Sequence, residues 1–334
     1  MTQAAAEIDR AALDGHDAFR RLVVEPCRPV VIHGAASDWP LAKVAKAGGD
    51  ALTSYLARFD AGRQVEAFVG DAAISGRYDY NDDLSGFNFR RQAMPLGEAV
   101  GRIAAGSDSE TLYVGSLPIT STLPGLAEDN RLPFAPPGVS PLIWIGHAST
   151  VACHYDMMDN IACVVAGRRT FTLYPPDAIG DLYVGPIDHT MAGQPVALAA
   201  GAEPGDPRYP RFEQARDRAI TIELGPGDAL YMPKLWWHRV EATGMLNILV
   251  NYWWDAFPVA PDQPFPTMLL AMSAIAGRPP AERAAWRAWF DHYVFRPDGH
   301  PLAHLPEERH GVLSDGPDHA KMVRAHAMRM LRAG

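Results

Sequence analysis

The alternation of apolar and polar positions divides the chain into three textures. Up to about residue 110 it is mixed. A short helix is predicted over 17–22 with Asp17 as its cap, and Arg28-Pro-Val-Val-Ile-His-Gly34 reads as a buried strand, a β-branched run closed by glycine. Asp38-Trp39-Pro40 is a turn, helices follow near 49–59 and 95–105, and 76–84 reads as a strand running into a tight turn. From about Thr111 the pattern becomes one of short strands: 112–114, 142–145, 161–165, 169–174, 219–224, 229–232 and 246–254. Many short strands with regular turns and no helices between them predict a β-sandwich or barrel. Residues 180–218 break the rhythm and read as a long insertion. Beyond Pro258 the period becomes helical. Trp286, Trp289, Phe290 and Tyr293 stripe one helix face as core or dimer contact, and a last helix covers 318–332 with Val323, Ala327 and Met330 on one side.

The predicted organisation is therefore an α/β extension over 1–110, a β-rich domain over 111–258 and a helical region over 259–334. Composition narrows the class. Apolar residues make up 48% and charged residues 21% of the 334, ordinary values for a globular protein. The net charge of -9 argues against nucleic acid as a partner. No run of 18 apolar residues exists to span a membrane, and MTQAAAEIDRAALDGHDAF has acids where a secretory leader would have bases. Cys27, Cys153 and Cys163 show no CxxC spacing and are expected to be small buried residues. A cytoplasmic protein is expected.

His154-Tyr155-Asp156 is an HxD triplet. In an extended segment residues i and i+2 face the same way, so both side chains can enter one cavity. A third ligand, His238, comes 84 residues after His154, behind the turn Gly225-Pro-Gly-Asp228 and the strand 229–232. Two imidazoles and a carboxylate on one face of a metal leave positions open, which suits iron(II), although zinc is not separated by the triad alone. An oxygenase of this kind needs an electron source beside the iron, most commonly 2-oxoglutarate. Arg169, on the strand after the triplet, is placed to take its far carboxylate. Asn160, Asn251 and Tyr113 are strand residues that could add hydrogen bonds, and Trp253 is expected to line the cavity. His147 and His189 are the other histidines near the pocket segments.

The run from His154-Tyr-Asp-Met-Met-Asp-Asn160 through Gly167-Arg-Arg-Thr-Phe-Thr-Leu-Tyr-Pro-Pro176 resembles the core of the cupin-like JmjC proteins, among them the factor-inhibiting asparaginyl hydroxylase. Gly225–Pro233 with Trp236-Trp237-His238 resembles the family's second metal motif, Asn251-Tyr252-Trp253 its closing strand, and 28–34 with 38–40 its N-terminal signature. The likeness covers about residues 25–255. It implies a mainly β fold with flanking helices, a double-stranded β-helix (jelly-roll). It also implies iron(II), 2-oxoglutarate and dioxygen, with His154, Asp156 and His238 as metal ligands and Asn160, Tyr113 and Asn251 as co-substrate contacts. Arg169 falls where the family usually has lysine, and Val151 where the hydroxylase has a threonine. The resemblance implies hydroxylation of a protein side chain. A small-molecule or RNA oxygenase, or a non-catalytic or differently metallated binding protein, is the alternative. Because relatives of this kind often dimerise through aromatic C-terminal helices, a homodimer is expected.

Overall fold

Alternating β-branched and aromatic positions form the strands of a computed structural model, which describes residues 4–81, 83–188, 194–259 and 263–333. They are β1 (Ala6–Asp9), β2 (Val30–His33), β3 (Gln64–Asp71), β4 (Arg77–Tyr78), β5 (Arg90–Pro95) and β6 (Glu110–Pro118). They continue with β7 (Pro141–Gly146), β8 (Ser149–His154), β9 (Asp159–Tyr174), β10 (Ile220–Leu224), β11 (Ala229–Met232) and β12 (Trp237–Trp254). All join one mixed 12-stranded sheet, ordered β1-β2-β11-β9-β12-β7-β6-β3-β5, with β10 on β9 and β8 between β12 and β4. The mainly β architecture with flanking helices, expected of a cupin-like jelly roll, is therefore present.

Two long strands organise it. The sequence suggests separate strands at 161–165 and 169–174, and a strand starting only at residue 246. Instead β9 runs unbroken for 16 residues and β12 for 18. They pair antiparallel from Trp237↔Tyr174 to Trp254↔Asp159, and the register slips between Thr243 and Ile248. The slip has a physical use. Cavity-lining residues are even-numbered in the first half of β9 (Asn160, Ala162) and odd-numbered in the second (Arg169, Phe171). On β12 they change from even (His238, Val240) to odd (Leu249, Asn251, Trp253). A strictly alternating strand could not aim both halves at one cavity, because a one-residue shift exchanges its faces. Gly167 (φ +73°) and Gly244 (φ +112°) stand at the slip, in conformations that L side chains avoid.

Contacts divide the chain into two units, Met1–Ala256 and Phe257–Gly334. In the first, Val31, Val164, Phe171, Leu173, Ile222 and Leu230 belong to one buried cluster between the long strands and their neighbours. The 180–218 insertion has a core of its own: Leu182, Ala199, Phe212 and Ala215 pack with Tyr155 and Trp237. The first helix starts earlier than predicted, at Gly15, and passes into a π-turn through Val24. Its extent follows the burial of Phe19, Val23 and Val24 rather than a cap at Asp17. Cys153 and Cys163 are buried as expected, but Cys27 is exposed, in a turn with φ +50°. The second unit carries helices Pro264–Ile275, Pro280–Phe290 and His319–Ala333. The aromatic stripe is not core: Trp286 is 40% exposed and Trp289 60%. Among the described residues no helix is long and apolar enough to cross a membrane.

Candidate metal centre

β8 and β12 run antiparallel with His154 and His238 as facing partners. The sheet itself therefore sets two imidazoles side by side, with ring centroids 4.4 Å apart. Each ring uses Nδ1 on the carbonyl two residues before it, His154 on Ala152 (2.8 Å) and His238 on Trp236 (3.0 Å). A carbonyl only accepts, so Nδ1 carries the proton and Nε2 keeps the lone pair. Asp156 lies just past β8, and its Oδ2 is 3.8 Å from His238 Nε2. One candidate ligand atom from each of His154, Asp156 and His238 lies within 4.8 Å of the other two. Burial and the neighbouring His154 push the His238 imidazole down to about 4, against the pull of Asp156. That ring is neutral at pH 7. Two oriented lone pairs and a carboxylate fit a divalent ion, and the donor set suits iron(II) as well as zinc.

The triad opens onto a cavity of about 110 Å³, which Arg169, Tyr113, Asn160, Asn251 and Trp253 also line. Sequence reasoning thus finds five further residues that the fold brings to the same space. Arg169 is 3% exposed. Burial pushes its guanidinium below the ordinary value, and the Tyr113 hydroxyl beside it acts in the opposite direction. A guanidinium nevertheless keeps its proton in proteins. Its Nε and Nη2 find no partner among the described residues. These two groups form one edge of the guanidinium fork, the edge that takes a carboxylate bidentately. Burial raises the Tyr113 phenol to about 12, so it remains a donor at neutral pH. Arg169 and Tyr113 therefore fit one carboxylate. Val151 also lines the cavity and offers it only methyl groups.

Asn160 and Asn251 are joined to each other and to the metal carboxylate. Asn251 Nδ2 donates to Asn160 Oδ1 (3.1 Å), and Asn160 Nδ2 donates to Asp156 Oδ2 (3.4 Å). Trp253 Nε1 donates to the same Asp156 oxygen at 3.1 Å. Some participants are not apparent from the sequence. Trp144 lines the cavity from β7, where its alternation with Ile143 and Ile145 is the available signal. Gln194 and Val196 reach the cavity from the insertion, which has no periodicity to announce them. Asp159, 1% exposed, accepts from Tyr231 Oη (2.9 Å) and Ala256 N (3.0 Å), tying β11 to the end of β12 beside the site. His147 stands outside the cavity, accepting from Leu112 N and donating to the Ile103 carbonyl. His189 lies outside the described residues.

The family model described as a cupin-like domain matches residues 16–260. Over 115 residues the chain is 35% identical to a lysine-specific demethylase of Arabidopsis thaliana, covering 34% of this chain and 20% of that protein. It is 24% identical over 245 residues to lysine-specific demethylase 8 of Xenopus tropicalis, covering 71% and 50%. With the human bifunctional peptidase and (3S)-lysyl hydroxylase it shares 27% identity over 274 residues, covering 71% and 80%. The chain spans a fifth of the length of the first of these relatives and half of the second. The matched span contains every strand from β2 to β12 and all three members of the triad, and the chain belongs to the cupin-like JmjC family.

Proposed function

We propose that the protein is an iron(II)- and 2-oxoglutarate-dependent oxygenase that hydroxylates a protein side chain. The observation that carries this reading is the Nε/Nη2 edge of Arg169, unpaired among the described residues and buried in the same cavity as the triad. A buried cation with an open fork is costly unless an anion completes it, and a dicarboxylate that also reaches the metal satisfies both ends. His154, Asp156 and His238 would hold the metal, and Arg169 with Tyr113 the far carboxylate. When bound, iron and oxoglutarate supply the activation of dioxygen and the transfer of one oxygen atom to a C–H bond. The chain's own part is to keep both Nε2 lone pairs aimed at one point, to hold Tyr113 as a donor and to exclude water. Phe171, Met232 and Leu249 form apolar wall for that last task.

The choice of a protein side chain follows the names of relatives, a lysyl hydroxylase and demethylases. The cytoplasm is the proposed compartment, supported by three free cysteines. Anaerobic titration with iron(II) and oxoglutarate, followed through the visible charge-transfer band, tests the core of the proposal. The wild type develops the band and His238→Ala does not. Arg169→Gln weakens oxoglutarate binding by about 10- to 100-fold, as expected when charge-assisted hydrogen bonds of about 1.5–3 kcal/mol are lost. A wild type without a band overturns the reading. Val151, apolar where a hydroxyl would donate, favours a second one, a metal-loaded binding module without turnover. Succinate release from oxoglutarate separates the two. The product's mass, one oxygen atom heavier on a peptide, a small molecule or an RNA, identifies the substrate class.

A further inference from the structure

Asp156 is held by a directional chain of hydrogen bonds that starts outside the triad, at Trp144. We infer that Trp144 is a positioning residue for the metal carboxylate, acting through the amides of Asn251 and Asn160. Trp144 Nε1 donates to Asn251 Oδ1 at 2.7 Å. An indole nitrogen can only donate, so this bond decides which way the Asn251 amide faces. With its oxygen turned to Trp144, Asn251 presents Nδ2 to Asn160 Oδ1, at 3.1 Å. That contact in turn orients Asn160, which is left to present Nδ2 to Asp156 Oδ2, at 3.4 Å.

The amides have little freedom to choose otherwise. Asn251 is 1% exposed and Asn160 6%, so neither can exchange its partner for bulk water. The two strands that carry them are paired, Asn251 facing Ala162 and Trp253 facing Asn160. A second donor, Trp253 Nε1, reaches the same Asp156 oxygen directly at 3.1 Å. Trp253 also packs edge-on against Trp144, at 5.7 Å between centroids. Asp156 Oδ2 therefore has two N–H donors for its two lone pairs. Oδ1 receives none among the described residues. Rotation of the carboxylate would break both bonds. Outer-shell partners of this kind commonly change metal affinity 10- to 100-fold.

This inference rests on reading the triad as a metal site, and the test keeps the two apart. Mn(II) binding is measured by calorimetry on the full chain without oxoglutarate, so that no turnover is involved. Trp144→Phe keeps the six-membered ring and removes the donor. It weakens Mn(II) binding about 10-fold while the metal-free protein keeps its near-UV circular dichroism. In an Asn160→Ala background the same substitution has no further effect, because both changes break one chain. Trp253→Phe weakens binding through its own bond to Asp156, in the Trp144→Phe background as in the wild type. Asn251→Leu, near in shape and unable to relay, reproduces the loss and serves if Trp144→Phe does not fold. A packing role alone would shift thermal stability and add to Asn160→Ala. Unchanged affinity in Trp144→Phe, or additivity with Asn160→Ala, overturns the relay. A wild type that takes up no Mn(II) overturns the metal reading and the relay with it.

Discussion

At the scale of single residues, binding and stability pull Arg169 in opposite directions. A buried guanidinium with two nitrogens unpaired among the described residues burdens the ligand-free fold. Arg169→Met is expected to leave the thermal midpoint unchanged or to raise it, by about 1 kcal/mol or more of stability, while abolishing oxoglutarate binding. Calorimetric unfolding beside a binding titration checks both halves. His33 behaves differently. Its imidazole is raised above 6.5, chiefly by its hydrogen bond with Glu7, with Asp228 adding to the effect. A raised histidine stabilises the fold fully below its unfolded value, and loses that contribution as pH rises through its folded value. The urea midpoints of wild type and His33→Gln should therefore differ most below pH 6.5 and converge as pH rises through the raised folded value. The pair is half exposed, so the difference stays under about 1 kcal/mol. The triad was legible in the sequence because HxD needs only i, i+2 geometry and a third histidine behind a strand. The orientation of two amides was not, since it depends on Trp144, 107 residues from its partner Asn251.

At the scale of elements, the strands were legible and their continuity was not. The apolar runs of β9 and β12 stand out in the sequence, but separate strands at 161–165 and 169–174 and a last strand starting at 246 are in fact two continuous strands with a register slip at Gly167 and Gly244. Gly167 tests this. A Cβ there would lie 1.9 Å from Asn247 Oδ1 and 3.0 Å from the Thr243 carbonyl, at a φ of +73°. Gly167→Ala combines a clash with backbone strain and should cost about 2–4 kcal/mol. It should also weaken oxoglutarate binding, because Arg169 is aimed by the residues that follow the slip. Urea unfolding and a co-substrate titration measure the two effects. An unchanged midpoint would mean that the slip is not anchored at Gly167. The insertion shows the opposite limit of sequence reading. Its alanine-rich core and its contributions to the cavity, Gln194 and Val196, have no period for a pattern search to detect.

At the scale of the whole molecule, the second unit exposes apolar surface that a lone chain would be expected to bury. Leu270 is 62% exposed, Trp289 60%, Phe295 70% and Leu331 67%. Patches of this kind mark interaction surfaces. Residues 257–334 hold nine basic and eight acidic residues, so two copies of this unit would not repel each other, as a self-complementary interface requires. The expected assembly is a homodimer whose second copy covers these faces. Light scattering should give twice the 36.4 kDa chain mass, and Trp289→Glu with Leu270→Glu should halve it. A single-chain mass for the wild type counts against the dimer. The helices themselves were legible from their period; what covers them is not written in any one chain.

The facing of His154 and His238 across two paired strands has a thermodynamic consequence. Because the backbone ladder holds both histidines, much of the ordering cost of the centre is met during folding rather than on ion capture. Metal should then act as a simple native-state ligand, raising the unfolding temperature by mass action, about 2.7 kcal/mol at one hundred times its dissociation constant. Far-ultraviolet dichroism should stay unchanged throughout. Two imidazoles and one carboxylate do not by themselves separate iron(II) from zinc, so selection would fall to whichever divalent cation the surroundings supply.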